Sequence, residues 1–216
     1  MEEWSFNAIK DIALGHQLDD QAETVLLALL RGGGLPGLSA MPPCWTRDGI
    51  RFHRPLLGVP GAQLRQWLQS EGIPWVEDPT NGDPRFTRNR IRLNVSPALD
   101  TAFPHFRKTL ARSARHAAQA VRLLDQLAAQ DLVVAGDPPH IRAVQKFSTD
   151  RQVNLLRYWL KTRYGQSPTE SQMVQLQVQV AACTTRGHRI QLKVGAGRLQ
   201  RDGEILRWDP EMAFGA

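Results

Sequence analysis

Gly15-His16-Gln17-Leu18-Asp19-Asp20-Gln21-Ala22-Glu23-Thr24 is the stretch on which the reading of this chain turns. Ahead of it, Ile12-Ala13-Leu14 is an apolar run that reads as a buried strand, at a length where strand and buried helix share one pattern. Behind it, Val25, Leu26, Leu27, Leu29 and Leu30 supply the buried face of a helix. Asp19 or Asp20 is placed to cap that helix, Glu23 follows three residues after Asp20, and Gly32-Gly33-Gly34 ends it. Strand, polar joint and helix make the α/β crossover pattern, in which ligands collect at the C-terminal ends of strands. On a helix starting near Asp19, Asp20 and Glu23 share a face of the first turn, with His16 at the strand end above. Three chemistries suit that arrangement. Acids offset the positive end of a helix dipole; carboxylates hold Mg²⁺ when substrate phosphates complete its shell, with Asp20 the candidate ligand; and carboxylates serve as general acid and base. Spacing alone leaves all three open.

Working outward, residues 35–49 read as a Pro/Gly-rich loop and Phe52 to Leu57 as an extended segment. Pro60 opens a helix through Glu71 with Leu64, Trp67 and Leu68 inward, and Gly72 stops it. Pro74 to Pro84 is too rich in Pro and Asp for regular structure, and the basic segment Arg85 to Leu93 follows. From Pro104 to Asp131 the pattern is one long helix: Leu110, Ala114, Ala117, Val121 and Leu124 fall on one arc, and Arg107, Lys108, Arg112, Arg115 and Arg122 on a neighbouring one. A merely solvated face explains such a basic stripe as readily as a binding face does. Gly136-Asp137-Pro138-Pro139 is a turn. Helices are expected at 149–163, with Val153, Leu156 and Leu160 inward, and at 168–181, and residues 188–208 alternate as a three-stranded β-meander.

Charge adds direction. The 216 residues carry a net charge of +6. Residues 1–104 hold ten Lys and Arg against twelve Asp and Glu, whereas residues 105–216 hold seventeen against nine. A basic half beside a slightly acidic one points to a polyanion docking on the second half. No apolar run approaches the roughly 20 residues of a membrane helix. Met1 to Lys10 has no apolar core of a secretory signal, and Cys44 and Cys183 have neither pairing nor metal spacing. The chain is therefore expected to be cytoplasmic, with no membrane partner. The six Trp are scattered and read as core rather than as stacking platforms.

Several strings together resemble one family. His16 to Thr24 is similar to the H-x-x-D-D-Q-A-E-T motif of tRNA(Ile)-lysidine synthetases, which belong to the N-type ATP-pyrophosphatases. Leu29 to Leu38 resembles that family's L-L-R-G-[SA]-G-x-x-G-L stretch and Arg54-Pro55-Leu56-Leu57 its R-P-L-L segment. Glu77-Asp78-Pro79-Thr80-Asn81 and Phe86-Thr87-Arg88-Asn89-Arg90-Ile91-Arg92 resemble its E-D-P-[ST]-N and [FY]-x-R-N-x-[IL]-R motifs. The resemblance implies an α/β fold: a partial Rossmann-like, adenine-nucleotide-hydrolase-like part over residues 1–103, then a mainly helical tRNA- and substrate-binding domain over 104–216 that ends in the meander. It implies ATP-dependent adenylation of C2 of the wobble cytidine in the isoleucine tRNA with a CAU anticodon, then attack by the ε-amine of L-lysine with loss of AMP. ATP and Mg²⁺ are the implied cofactors. Asp20, Glu23 and Arg88 are the implied catalytic residues, with His16, Asn89, Arg92 and Arg31 at the nucleotide. Arg107, Lys108, Arg112, Arg115 and Arg122 are expected on the tRNA backbone, where contacts give affinity rather than sequence information. Family members occur as monomers or dimers, so an oligomer is compatible.

The sequence departs from the family in one respect. No S-G-G-x-D-S stretch, the loop that cradles pyrophosphate, is present, and Met1 to Asn7 resembles none of the family's motifs. The chain is thus expected to enter the pattern partway through the α/β domain, to lack the further C-terminal domain, and to be inactive by itself. Two other readings stay open: a non-catalytic tRNA-binding fragment, and another ATP-pyrophosphatase that modifies tRNA. A thiolation enzyme of that kind needs paired cysteines, which Cys44 and Cys183 do not supply.

Overall fold

A computed structural model describes residues 9–185 and 187–211; the segment Met1 to Asn7 lies outside the described residues. The chain separates into two compact units that part between Val121 and Arg122.

In the first unit, strand β1 (Asp11–Ala13) leads into helix α1 (Leu18–Leu30), a short helix α2 (Leu35–Leu38), and strands β2 (Cys44–Arg47) and β3 (Ile50–His53). The sheet order is β1-β3-β2, with β1 parallel and β2 antiparallel to β3. A parallel pair needs a crossover, and α1 lies within it, as the α/β pattern requires. Three details differ from the sequence reading. Residues 35–49 are not a loop: β2 and β3 form a hairpin through Asp48 and Gly49, both at positive φ, the two-residue Asp-Gly turn whose twist matches that of the strands. Among the described residues strand β1 stands at the edge of the sheet, and only Ile12 of it is partly covered, so it is not buried. The cap of α1 is Gln17, whose backbone N–H donates to the Asp20 carboxylate at 2.9 Å.

The buried face of α1 also lies elsewhere. Leu18, Gln21, Ala22, Glu23 and Val25 are covered, whereas Leu29 and Leu30 are exposed. The covered residues recur at the helical repeat over the first two turns, where the rest of the unit packs; the last turn runs past that cover. There the N–H groups of Gly32 and Gly33 bond back to the carbonyls of Leu29 and Ala28, the reciprocal pair that closes a helix end. Helix α3 (Gly61–Ser70) forms as expected, but Trp67 is exposed rather than inward. A 3₁₀ turn (Pro79–Gly82) precedes a nearly continuous run of α4 (Thr87–Arg90), a π turn (Ile91–Val95) and α5 (Ser96–Ala102). Helix α6 (Phe106–Ala135) carries the division between the units. It buries Phe106, Ala111, Ala114, Ala117 and Ala128 and leaves Leu124 exposed.

The second unit follows the sequence reading closely. After α7 (Ile141–Val144), helices α8 (Thr149–Tyr164) and α9 (Glu170–Ala182) precede the antiparallel strands β4 (Gln191–Val194), β5 (Gly197–Asp202) and β6 (Ile205–Pro210). Leu155, Leu156, Trp159 and Leu160 of α8 join Met173, Leu176 and Val180 of α9 and Val194, Leu199 and Leu206 of the sheet in one core. Trp159 and Trp208 are buried as expected, each donating its indole N–H, to Asp137 and to the Val194 carbonyl. Along the outer side of β4, the Gln179 amide receives the Gln191 N–H at 2.9 Å and donates to the Gln191 carbonyl, while Gln172 donates to the Lys193 carbonyl. On the far side, Leu206 donates to the Pro139 carbonyl and Ile205 bridges His140.

Gly197 packs against the Trp208 ring and the Asp209 carbonyl so closely that a Cβ would lie 2.3 Å from that oxygen. Backbone at that contact cannot swing away, so Gly197→Ala is expected to destabilise the second unit by about 1–3 kcal/mol, the usual cost of overpacking. Urea unfolding measures this, and an unchanged midpoint would contradict the packing described.

Candidate active site

The string at the β1–α1 joint is a set of contacts in which the acids and Gln21 of α1 have defined partners. Leu18 and Ala22 are core. The buried Gln21 amide pairs with both the N–H and the carbonyl of Met41, at 3.1 Å each. Asp19 accepts from the Gly61 N–H at 2.8 Å and from Arg107. Asp20 accepts the Gln17 N–H through one oxygen, and the other lies 3.5 Å from Arg92. The Thr24 hydroxyl donates to the Asp20 carbonyl at 2.7 Å and accepts from Arg88 at 3.2 Å.

Glu23 is the centre of this group. Its side chain is 3% exposed, and both carboxylate oxygens are taken by Arg92, from Nε at 2.8 Å and from a terminal nitrogen at 3.1 Å. This two-point geometry is the strongest form of such a pair. Arg92 sits in the π turn, a helix irregularity that is frequent at functional sites. Burial pushes the Glu23 carboxyl above its ordinary range, outweighing the pull of Arg92, and Asp20 nearby adds to the rise. The Glu23 hydrogen bond in turn raises Arg92. The two acids and the two guanidinium groups, read from segments 69 residues apart, thus come together in one place.

Other expected residues are placed differently. Arg92, expected at the nucleotide, has its fork engaged by Glu23. Asn89 is buried, and its amide nitrogen donates to the carbonyls of Thr80 at 2.7 Å and Asp83 at 2.9 Å. It therefore ties the Glu77–Asn81 loop to α4 instead of offering its donors to a base or ribose. Arg107 stands between Asp19 and Asp100 with its guanidinium over the Phe106 ring, so two carboxylates already balance the charge expected to meet tRNA. Lys108, Arg112, Arg115 and Arg122 are exposed. Arg31 and Arg88 line a cleft of about 490 Å³ with Thr24, Leu27, Gly37 and Phe86. His16 is partly buried and faces the Arg54 guanidinium. For Mg²⁺ the donors do not fit. Glu23 has no oxygen left, Asp20 has one, beside a cation, and among the described residues no group of three His, Cys, Asp or Glu is placed to hold a metal.

Two features escape the sequence reading. Arg54 rests on the Trp45 ring at 4.1 Å and donates to the Pro42 carbonyl; its R-P-L-L string is legible, but its contact with His16 spans 38 residues. In the second unit a cavity of about 960 Å³ is lined by Arg142, His188, Arg189 and Arg201 among others. The polar, basic run from Thr184 to Arg189 between helix and strand is the available signal.

Residues 2–99 match the family model described as a PP-loop domain, and residues 140–204 match that of a TilS substrate binding domain. The chain is 57% identical over 198 residues to the tRNA(Ile)-lysidine synthase of Polaromonas naphthalenivorans, covering 92% of this chain and 60% of that protein. The chain belongs to the tRNA(Ile)-lysidine synthase family. Relatives in this family from Burkholderia mallei and Bordetella pertussis are 39% and 36% identical, aligned over 91% and 93% of this chain and over 41% and 64% of their own lengths. The chain thus spans about two fifths to two thirds of these lysidine synthases. The PP-loop match starts at residue 2, so the N-terminal segment that resembled none of the motifs lies inside it. All the quoted lysidine synthase motifs lie within that match, and the basic cavity of the second unit is lined from within the substrate-binding match. No helix among the described residues is long and apolar enough to cross a membrane.

The Glu23–Arg92 pair predicts an asymmetry. Arg92→Met leaves a buried carboxylate alone and is expected to cost about 1–3 kcal/mol. Glu23→Gln removes the charge whose burial is unfavourable and leaves a half-exposed guanidinium, so it is expected to change stability by less than about 1 kcal/mol. Chemical denaturation compares the two; equal losses would refute the asymmetry. A carboxyl raised on folding favours the protonated fold, so its contribution is present below its ordinary range and is lost as pH rises through the elevated value. Carbon-detected titration of the Glu23 carboxyl is expected to give a midpoint above 4.5, and a midpoint below it would reverse the sign.

Proposed function

We propose that this chain is the part of a tRNA(Ile)-lysidine synthetase that holds its acid–guanidinium cluster and its tRNA-binding domain. The single observation that carries this reading is the meeting of Asp20 and Glu23 with Arg88 and Arg92 at the head of α1. The reaction would join lysine to C2 of the wobble cytidine of the isoleucine tRNA with a CAU anticodon. ATP first adenylates the base with release of pyrophosphate. The lysine nitrogen then forms a bond to C2, the C2–O bond to AMP breaks, and the ammonium proton passes to a carboxylate.

In this reading Glu23 is the proton acceptor. Its basicity, raised by burial, brings it closer to that of an amine than an exposed glutamate is. Arg92 holds it in place and, as it releases the carboxylate, is available to the anionic intermediate. Arg88 and Arg31, which line the cleft beside Thr24, meet phosphate oxygens. Asp20 keeps the helix entry in register through Gln17 and leaves one oxygen toward the site. Mg²⁺, if it accompanies ATP, draws its ligands from the triphosphate rather than from this cluster. Residues 1–103 take the nucleotide and residues 104–216 the tRNA, and Lys108, Arg112, Arg115 and Arg122 neutralise its backbone. The reaction places the protein in the cytoplasm, with tRNA and lysine as its partners. Thiolation has less support: Cys44 is exposed, Cys183 is buried, and they lie in different units.

Pyrophosphate release, measured on the protein carrying this chain with ATP, lysine and that tRNA, is expected to fall about 10²-fold or more in Glu23→Gln and in Arg88→Met. Rates within twofold of the parent would sink the assignment. Filter binding of the tRNA across salt concentrations tests the basic face of α6. Replacing Lys108, Arg112 and Arg115 with Gln is expected to lower the log–log slope by about 0.7–0.9 for each phosphate no longer neutralised. Arg107→Gln, removed from a carboxylate pair, is expected to leave the slope unchanged.

A further inference from the structure

Arg54 is held from three sides. A terminal nitrogen donates to the Pro42 carbonyl at 2.8 Å, its backbone N–H donates to the Pro43 carbonyl at 2.8 Å, and its guanidinium lies over the Trp45 ring, which itself stacks on Phe52 at 4.9 Å. Among its other side-chain N–H groups, the Nε–H points at Nδ1 of His16, 3.4 Å away. A guanidinium has five N–H donors and no acceptor, so the ring nitrogen that faces it must supply a lone pair. In a neutral imidazole the proton then sits on the other nitrogen, Nε2, because the hydrogen bond at one ring nitrogen decides the state of the other.

We propose that Arg54 is a positioning residue that fixes neutral His16 as its Nε2–H tautomer, so that the imidazole donates a hydrogen bond to an acceptor oxygen of the bound nucleotide and does not serve as its base. The tautomer follows from the Arg54 contacts alone; the identity of the acceptor rests on the nucleotide-binding reading above. The assignment also divides the labour at the β1–α1 joint: His16 supplies a donor, and the proton acceptor is left to the carboxylates of α1.

Two-bond proton–nitrogen correlation spectra of the histidine rings test this on the whole chain at neutral pH, with His16 assigned by the disappearance of its signals in His16→Gln. The expected pattern is Nε2 in the protonated range and Nδ1 in the unprotonated range. Arg54→Met is expected to let the Nδ1–H form grow in, and Arg54→Lys, which restores a donor, to suppress it again. The His53 ring, whose Nε2 faces the Asp11 carboxylate at 2.7 Å, reports whether the variants remain folded and should keep its pattern throughout. A His16 ring already protonated on Nδ1, or one indifferent to Arg54→Met while His53 is unchanged, overturns the proposal. Adding ATP should move the His16 Nε2–H resonance; no movement overturns the donor role. Failure of the ligase reading would show elsewhere, as pyrophosphate release indifferent to Glu23→Gln.

Discussion

The bidentate pairing of Glu23 with Arg92 is the constraint on which the site is built. A carboxylate 3% exposed cannot stay charged without a partner, and the partner comes from a segment that also meets α1 through Arg88 and Thr24. The pair therefore does two things at once. It draws the α4–π–α5 run onto the head of α1, bringing Arg88 within reach of Thr24, and it stores a basic group in a place water does not reach. Around it, Asp19 is tied to the start of α3 and to Arg107, and Asp20 serves the helix cap with its other oxygen beside Arg92. Of the carboxylates in the string, only Glu23 is held wholly by a distant cation.

How much of this is legible in the sequence depends on whether the determining contact is local. The helical spacing places Asp20 and Glu23 on one turn of α1, and the four-residue spacing of Arg88 and Arg92 puts them on one face; both hold. The alternation of residues 188–208 and the helical patterns of 149–163 and 168–181 give the second unit to within a few residues, because its core is made by successive amphipathic elements. What the spacing cannot supply is who meets whom. Asn89 reads as a partner for base or ribose and Arg107 as one for the tRNA backbone in one dimension, and each is engaged by partners found only in three dimensions. Apolar content misleads in the same way. Leu29, Leu30 and Trp67 have the character of core residues, yet they fall where helices outrun the layer they pack on. The Asp48-Gly49 turn is a different case: the dipeptide is a strong local signal for a hairpin, and it is submerged in the Pro and Gly of its surroundings.

The two units also differ in how they are held. The first relies on polar cross-ties between distant segments: Gln21 on Met41, Asn89 on two carbonyls, Arg92 on Glu23, Arg107 between two aspartates. The second has a continuous apolar core, with Trp159, Tyr164 and Trp208 packed in sequence. A site made of polar cross-ties can exchange partners when a charged ligand enters, which an apolar core does not permit at comparable cost.

The glutamines of α9 along β4 have a consequence for the protein in a crowded cell. An outer strand with free N–H and carbonyl groups is a template onto which a foreign strand can add. Gln179 presents an amide that imitates the missing neighbour's peptide group, and on the opposite flank Pro139 and His140 occupy β6. The little sheet is thus closed to recruitment of stray chains without being rolled into a barrel, and it keeps its register beside the basic cavity.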